Sequence, residues 1–421
     1  MSLKVAFVGL GYIGLPTAVV MANHGLDVTG VDVMPEKVEA INRGELTIVE
    51  PGLDSELKSA LKSGRFRAST EMPRADVFIL AVPTPFAENH EVDMRYINSA
   101  ADSIAPVLNG GELIVLESTS PPGTTEKLAS RILDKRNDLA VDGRPAEGDK
   151  PVLHFAHCPE RILPGNAVEE LRTNDRIIGG MSPKATEMAK SVYSTFCQGQ
   201  LLETNDRTAE MAKLTENSFR DVNIAFANEL SVICDQLDID VWELIDLANH
   251  HPRVNILQPG PGVGGHCIAV DPWFIVSTAP ESAKLIKMAR ETNDGKPRWV
   301  LDKIGAAIKQ HATKSIALFG LAFKPNIDDL RESPALEIAV ATASEYPEIQ
   351  LSLVEPHISK LPEALSSLPN VALVDKETAI RDADLLVMLV DHEEFKNVDP
   401  EKLDNKVIIN TRNIWSDLPS C

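Results

Sequence analysis

A chain of 421 residues exceeds one comfortable core and suits two or three domains. Its 43% hydrophobic and 24% charged content is that of a globular protein and gives no ground for disorder, fibre or membrane span. A formal charge of −21 argues against a basic nucleic-acid-binding surface, so any anionic ligand needs a local basic pocket. No apolar run reaches bilayer length, and no basic stretch with an apolar core and cleavage site opens the chain. Five cysteines at positions 158, 197, 234, 267 and 421 form neither a CxxC pair nor an even framework, which points to a reducing, cytoplasmic setting. No metal site is expected.

In chain order, the first half alternates short apolar runs (KVAFVGLG, LDVTGVDV, ADVFILAVP, GELIVLEST, LHFAHCPE) with amphipathic stretches, the pattern of a parallel, doubly wound sheet. The strand Val5–Val8 runs into Gly9-Leu-Gly11-Tyr12-Ile13-Gly14 and then a helix over Leu15 to His24, the setting a dinucleotide motif requires. Gly9 permits the tight turn, Gly11 lets backbone approach a pyrophosphate, and Gly14 allows close packing, while the helix N-terminus offers N–H groups to the anion. Asp32 ends the second strand, 18 residues beyond Gly14, where a carboxylate holds the adenosine ribose hydroxyls and repels a 2′-phosphate. The cofactor expected is therefore NAD rather than NADP. The loops Val82-Pro83-Thr84-Pro85 and Glu117-Ser-Thr119-Ser-Pro-Pro-Gly123 follow apolar strands and are candidate walls of the nicotinamide site. For the first of them an ordinary Pro-containing connection fits equally well.

From about Asn205 to Asp238 the pattern becomes one long helix, with Met211, Leu214, Val222, Phe226, Leu230 and Ile233 at helical spacing. Lys213 and Asn217 are i, i+4 neighbours and Arg220 continues their polar stripe, opposite the apolar face. Taken alone, such a stripe is usually a solvated helix face. Helical signals continue through Trp242 to Leu247, a Pro/Gly-rich loop runs from Pro252 to Pro272, and the next helix reaches about His311. Within that loop Gly262-Val-Gly264-Gly265-His266-Cys267-Ile-Ala-Val-Asp271-Pro272 sets a thiol after flexible glycines and a carboxylate four residues later. An isolated cysteine is more often a small buried hydrophobe, but these neighbours turn the reading toward a nucleophile. SIALFG, IQLSLVEP, DLLVMLVD and KVIINT then restart the strand theme as a second, smaller α/β domain. There Gly320-Leu-Ala-Phe-Lys324 follows a strand and Arg331 precedes a helix start at Ser333-Pro334, so two cations flank a loop suited to a diphosphate. Pairing of these cations with Asp328 and Asp329 is the plainer alternative.

The segments AEMAKLTENSFRDVNIAFANEL, PRVNILQPGPGVGGHCIAVDPWF and FGLAFKPNIDDLRESP resemble the nucleotide-sugar 6-dehydrogenases, the family containing UDP-glucose dehydrogenase, and the match covers almost the whole chain. The resemblance implies an α/β protein with two Rossmann-like doubly wound domains joined by a long central helix and a helical dimerisation region. Residues 1–200 would bind NAD, 201–311 would carry dimerisation and catalysis, and 312–421 would bind the UDP group. It implies NAD-dependent four-electron oxidation of a UDP-sugar CH2OH group to a carboxylate for surface polysaccharide synthesis, by a set falling on Thr119, Glu160 in Cys-Pro-Glu-Arg, Lys213, Asn217, Cys267 and Asp271. Thr119 also counts among the cofactor contacts. Substrate contacts fall on Glu160, Arg161, Lys213, Asn217, Gly264, Lys324 and Arg331, with Arg253 reaching the sugar from the other subunit of a homodimer.

Two departures bear on the sugar. Glucose-oxidising relatives carry Pro-Glu-Phe-Leu with a second glutamate two residues on, where this chain has Glu160-Arg161-Ile162-Leu163-Pro164-Gly165. They usually read Gly-Phe-Gly-Gly-Ser before the cysteine, where this chain has Gly-Val-Gly-Gly-His. Both favour a 2-acetamido sugar over glucose.

Removing two hydrides from one carbon leaves an aldehyde midway, and a Cys267 thiolate would trap it as a thiohemiacetal that goes on to a thioester and, with water, to the acid. A thiol with an ordinary pKa of about 8.5 is mostly protonated at neutral pH, so Lys213 is the expected helper. Lys213 and Asn217 would stabilise alkoxide and oxyanion, Asp271 would position or deprotonate water, and Thr119 and Glu160 would order that water or the substrate. The base for the first alcohol proton stays open between Lys213, Asp271 and a water held by Glu160. A two-electron β-hydroxyacid dehydrogenase would need neither the cysteine loop nor a third domain, and a binding protein that had lost catalysis would have no need of Cys267, Lys213, Asn217 and Asp271.

Overall fold

The computed structural model describes residues 2–48, 50–87, 91–145, 148–162, 165–265 and 267–415, so Leu163, Pro164, His266 and Cys421 lie outside the described residues. The chain divides into two compact units, residues 1–216 and 217–421.

The first unit holds a nine-stranded sheet: β1 (Lys4–Val8), β2 (Asp27–Val31), β3 (Phe66–Ser69), β4 (Val77–Leu80), β5 (Leu113–Leu116), β6 (Ala140–Val141), β7 (Val152–His157), β8 (Arg176–Gly180) and β9 (Leu201–Asn205), in the order β3-β2-β1-β4-β5-β7-β8-β9 with β6 beside β7. Val5 and Phe7 face one apolar cluster and Ala6 and Val8 the other, as expected of strands covered on both sides. The register aligns Val31, Val8, Leu80, Leu116 and His157 in one row, so Asp32, Gly9, Ala81, Glu117 and Cys158 all emerge along one carboxyl edge. Ligands bind at such edges in open α/β sheets.

The sheet is parallel, as expected, except at one seam, where β8 runs antiparallel to β7. The reversal has a consequence for the site: Arg176, the first residue of β8, lands at the carboxyl edge instead of the opposite one. Strands β3, β6, β8 and β9, and in the second unit the strand Val371–Leu373, are absent from the apolar runs read in the sequence. The helices that matter here are α1 (Gly14–Asn23), α2 (Thr124–Lys135) and α3 (Asp206–Leu237).

The 32-residue α3 begins in the first unit and continues into the second. Its apolar positions do not all turn inward. Leu214 is buried, but Met211, Phe226 and Ile233 are exposed and, with Phe219 and Leu237, expose large apolar side chains along the helix. Its buried positions include Glu210, Ser218, Asp221 and Asn228. The second unit adds α4 (Val241–Asn249), α5 (Asp271–Thr278) and α6 (Lys284–His311), then a five-stranded parallel sheet of β10 (Ser315–Phe319), β11 (Gln350–Val354), β12 (Val371–Leu373), β13 (Leu385–Met388) and β14 (Val407–Asn410) in the order β12-β11-β10-β13-β14. Helix α7 (Pro334–Glu345) follows β10, its first turn capped by Ser333. Among the described residues no helix is long and apolar enough to cross a membrane.

Candidate active site

In the first unit the glycine turn closes as its spacing predicts. Gly9 has φ +94°, and a Cβ there would lie 2.4 Å from the Ala81 carbonyl oxygen. A Cβ on Gly14 would come within 1.8 Å of the Gly9 carbonyl oxygen. Both glycines are therefore explained by the chain itself. Gly11 is different: a Cβ there would meet nothing within 4 Å, so packing gives no reason for glycine, whereas close approach of a pyrophosphate does. Ile13, at the N-cap of α1, gives no side-chain cap; the Leu15 N–H donates to the Gly11 carbonyl at 3.1 Å and Pro16 has no N–H, so the Gly14 N–H is the first-turn donor that can face an anion. The Tyr12 hydroxyl is bound to Glu50 and accepts from the Gly165 N–H at 3.0 Å. Burial and then the Glu50 bond push its pKa up, so this phenol is committed within the protein.

Asp32 follows β2 and accepts from the Leu10 N–H at 3.0 Å, the Met34 N–H at 3.1 Å and the Lys37 ammonium at 2.8 Å. Burial alone would raise its pKa, but Lys37 and the two N–H groups outweigh burial and hold it below the usual carboxylate range. It is an anion at the carboxyl edge of the sheet. Val82, Pro83 and Thr84 follow β4, and Ser118 Oγ donates to the Val82 carbonyl at 2.7 Å, tying the two candidate nicotinamide walls together. Thr119 is half-buried on the second wall.

Glu160 is buried, and both its oxygens are engaged: Oε1 by the Arg161 N–H at 2.6 Å, Oε2 by Arg176 at 2.9 Å. Arg176 also pairs with Glu117 at 3.1 Å, and the Tyr193 hydroxyl donates to Glu117 at 3.0 Å. The guanidinium thus lies between two carboxylates, 4.8 Å from the centre of the Tyr193 ring. Burial, then the repulsion of Glu160, push Glu117 up to about 7 against the pull of Arg176. Sequence reasoning assigned no role to Glu117 or Arg176; a charged residue opening an apolar strand (Arg-Ile-Ile) was the available signal. Arg161, expected at the substrate, is paired with Glu216 at 2.8 Å and donates to the Asp175 carbonyl at 3.1 Å. Lys213 is half-buried on α3, one turn before Asn217, and among the described residues no side chain pairs with it.

In the second unit Asn217 donates to Asp271 at 2.5 Å. Asp271 is buried at the start of α5, and its N–H donates to the Cys267 carbonyl at 2.8 Å. Amide, carboxylate and thiol-bearing turn are thereby joined, with Cys267 itself exposed. The loop before it lies on the segment after β10: a Cβ on Gly264 would meet the Glu332 carbonyl oxygen at 2.4 Å and Phe323 at 2.9 Å. Gly264 therefore has a packing role that the sequence did not disclose. Lys324 is half-buried beside this contact, while Arg331 is exposed and held by Asp329 in a two-point pair at 2.9 and 2.6 Å, the plainer alternative raised above. Asp329 and then the nearby Cys267 sulfur favour its charged form. Arg253 is exposed after α4. A cation missed by sequence reasoning is Arg412, just past β14: it donates to the Leu389 carbonyl at 3.1 Å, and its guanidinium would lie 2.9 Å from a Cβ on Gly260.

Comparison with known proteins identifies the family. Three sequence signatures of the UDP-glucose/GDP-mannose dehydrogenase family match in succession: the NAD binding domain over residues 3–197, the central domain over 207–295 and the UDP binding domain over 317–417. The chain is 54% identical over 412 residues to the NDP-N-acetyl-D-galactosaminuronic acid dehydrogenase of Ralstonia nicotianae, covering 98% of this chain and 96% of that one. It is also 54% identical over 419 residues to the UDP-N-acetyl-D-mannosamine dehydrogenase of Yersinia pestis, covering 98% and 99%. Among solved structures, a UDP-N-acetyl-mannosamine dehydrogenase of Staphylococcus aureus is 43% identical with a TM-score of 0.84, covering 98% and 95%. Its Pyrococcus horikoshii counterpart is 38% identical with a TM-score of 0.86, covering 99% and 97%.

Proposed function

The chain belongs to the UDP-glucose/GDP-mannose dehydrogenase family and is an NAD-dependent nucleotide-sugar dehydrogenase, and from that premise we propose that it oxidises UDP-N-acetyl-D-mannosamine at C6 to UDP-N-acetyl-D-mannosaminuronate, for surface polysaccharide synthesis. The observation that carries the substrate is the 54% identity, over 98% of the chain, to a relative named for that sugar. The replacement of the second glutamate of glucose-oxidising relatives by Pro164-Gly165 supports a 2-acetamido sugar. A second reading, the galacto epimer, is favoured by the equally similar relative from Ralstonia nicotianae.

NAD, when bound at the glycine turn and Asp32, accepts hydride. The residues of the chain do the rest. Lys213, a half-buried ammonium without a pairing side chain among the described residues, stabilises the alkoxide as the alcohol proton leaves. The aldehyde carbon is attacked by the Cys267 sulfur, giving a thiohemiacetal whose oxygen is held by Lys213 and Asn217. Loss of the second hydride from that carbon, to a second NAD bound in place of the first NADH, leaves a thioester. Water, oriented by Asp271 in its bond to Asn217, adds to the thioester carbon and releases the carboxylic acid with the thiol restored. Glu160, neutralised by Arg176, acts through position and hydrogen bonding to Thr119-side water or substrate rather than as the base. Lys324 and the half-buried Arg412, which lies 3.6 Å from Asp391, are the cations suited to the diphosphate; Arg331 serves once released from Asp329. The exposed apolar residues of α3 support a homodimer, with Arg253 reaching into the partner's site.

The test is stoichiometric. Wild-type protein should release two NADH per UDP-N-acetyl-D-mannosamine and prefer it in kcat/KM over the N-acetylgalactosamine, N-acetylglucosamine and glucose analogues. One NADH per substrate, or preference for glucose, overturns the reading. Cys267→Ser should lower acid formation by about 10³-fold while both ligands still bind.

A further inference from the structure

Loop 117–123 carries Thr119, α3 carries Lys213, and a buried group on α3 ties the two together. Gly123, the N-cap of α2, has φ +91° and no side chain to cap the helix. The cap comes instead from a residue 87 positions away in sequence: Glu210 on α3 accepts from the Gly123 N–H at 2.5 Å, the Thr125 N–H at 2.7 Å and the Thr125 hydroxyl at 2.7 Å. Glu210 is 0% exposed. A helix is usually capped locally by serine, threonine or aspartate with an extended backbone, which the left-handed Gly123 does not have. Capping by a buried carboxylate from α3 adds something a local cap lacks, which is a rigid link between the two elements.

That link closes a frame. The loop is pinned at its start by the Ser118 bond to the Val82 carbonyl and at its end by Glu210, three residues before Lys213 on the same helix. We propose that Glu210 is a positioning residue of the dehydrogenase: through Gly123 and Thr125 it sets where Thr119 and the cofactor wall stand relative to Lys213, and hence the alignment of hydride transfer with alkoxide stabilisation. The proposal rests on the dehydrogenase reading above. Both oxygens of Glu210 act as acceptors, so the isosteric glutamine presents an NH2 group to an N–H or O–H donor and the frame loosens without a cavity. Displacements of about 1 Å suffice to cost about 100-fold in such alignments.

The experiment compares wild type with Glu210→Gln and Glu210→Asp, using substrate deuterated at C6. Wild-type turnover is measured first; its absence sinks the dehydrogenase reading itself. Given turnover, Glu210→Gln should lower kcat by about 10- to 100-fold with both KM values within about threefold, and raise the deuterium effect on kcat as hydride transfer becomes limiting. NAD binding by fluorescence titration should persist, which separates misalignment from misfolding. Glu210→Asp, which keeps two acceptors, should recover part of the rate even where Glu210→Gln does not fold. Unchanged kcat and isotope effect in a folded Glu210→Gln, or an Asp variant no better than Gln, overturns the positioning role while leaving the dehydrogenase reading intact.

Discussion

The turn after β1 and the turn after β10 are built alike and used differently. Gly9 at φ +94° and Gly320 at φ +92° each follow a first strand, and each N–H donates at 2.8 Å to the last residue of the second strand, Val31 or Val354. The next residue after that second strand is acidic in both cases. Asp32 accepts from the Leu10 N–H; Glu355 accepts from the Leu321 and Ala322 N–H groups at 2.7 and 3.1 Å. What differs is what lies beyond the carboxylate. Asp32 is met by Lys37 and the Met34 N–H, whereas Glu355 is covered by the buried His392, whose Nε2 lies 3.0 Å away. His392 Nδ1 accepts the Asn326 N–H at 2.9 Å, so the ring hydrogen is on Nε2 and points at Glu355. The nearby His357 gives this cluster the look of a metal site, yet both nitrogens of His392 are already committed. One acidic residue is paired with a lysine side chain; the other is an internal brace for the loop bearing Lys324. A shared turn thus does not imply a shared ligand.

The largest expected effects probe the common part. Gly320→Ala combines a left-handed backbone with a Cβ 2.3 Å from Val390 Cβ, and should cost about 3 kcal/mol by chemical denaturation while leaving NAD affinity of the folded protein unchanged. Gly11→Ala should do the reverse: stability within about 0.5 kcal/mol of wild type, and NAD binding weakened about tenfold or more. Equal effects of the two variants on NAD would break the comparison. Next in size, Asp32→Ser removes the carboxylate and frees Lys37, so NAD should bind about tenfold more weakly while NADP gains, read by fluorescence titration of both. Glu355→Gln should move neither constant.

The smallest effect concerns pH. Glu355, like Asp32, is held below the usual carboxylate range: burial raises it, but His392 and backbone N–H groups prevail. Such groups stabilise the fold above the unfolded carboxylate pKa and lose that contribution as pH falls through the depressed folded value. Glu117 behaves oppositely. Raised to about 7 by burial, it contributes stability that is present below its unfolded pKa of about 4.3 and fades as pH rises through about 7. Glu117→Gln should therefore raise the melting temperature relative to wild type by about 3 °C more at pH 8 than at pH 5.5. A difference that does not change with pH would contradict the buried position argued for Glu117.

Much of this molecule can be read from the sequence because strands covered on both faces are written as unbroken apolar runs and because GxGxxG dictates its own backbone. Helix α3 and the Cys267–Asp271 turn are equally local signals. The strands β8 and β9 escape because Arg-Ile-Ile-Gly-Gly is glycine-rich and charged and Leu-Leu-Glu-Thr-Asn is half polar at a sheet edge. The groups that brace the site escape for a different reason. Arg176 meets Glu117 across 59 residues, Glu210 meets Thr125 across 85, and His392 meets Glu355 across 37, so no local spacing announces them. The outward turn of Phe226 and Ile233 likewise depends on what lies beside α3, not on its period.

The sandwich of Arg176 between Glu117 and Glu160 also restricts how this lineage can change. With the arginine in place, either glutamate can drift to a neutral residue and leave a single buried ion pair behind. If the arginine is lost first, two carboxylates are stranded in the interior, a step that typically costs about 3–5 kcal/mol and that few intermediates would survive. The three positions therefore have a preferred historical order, glutamate before arginine, and descendants that keep either acid should be found to have kept Arg176.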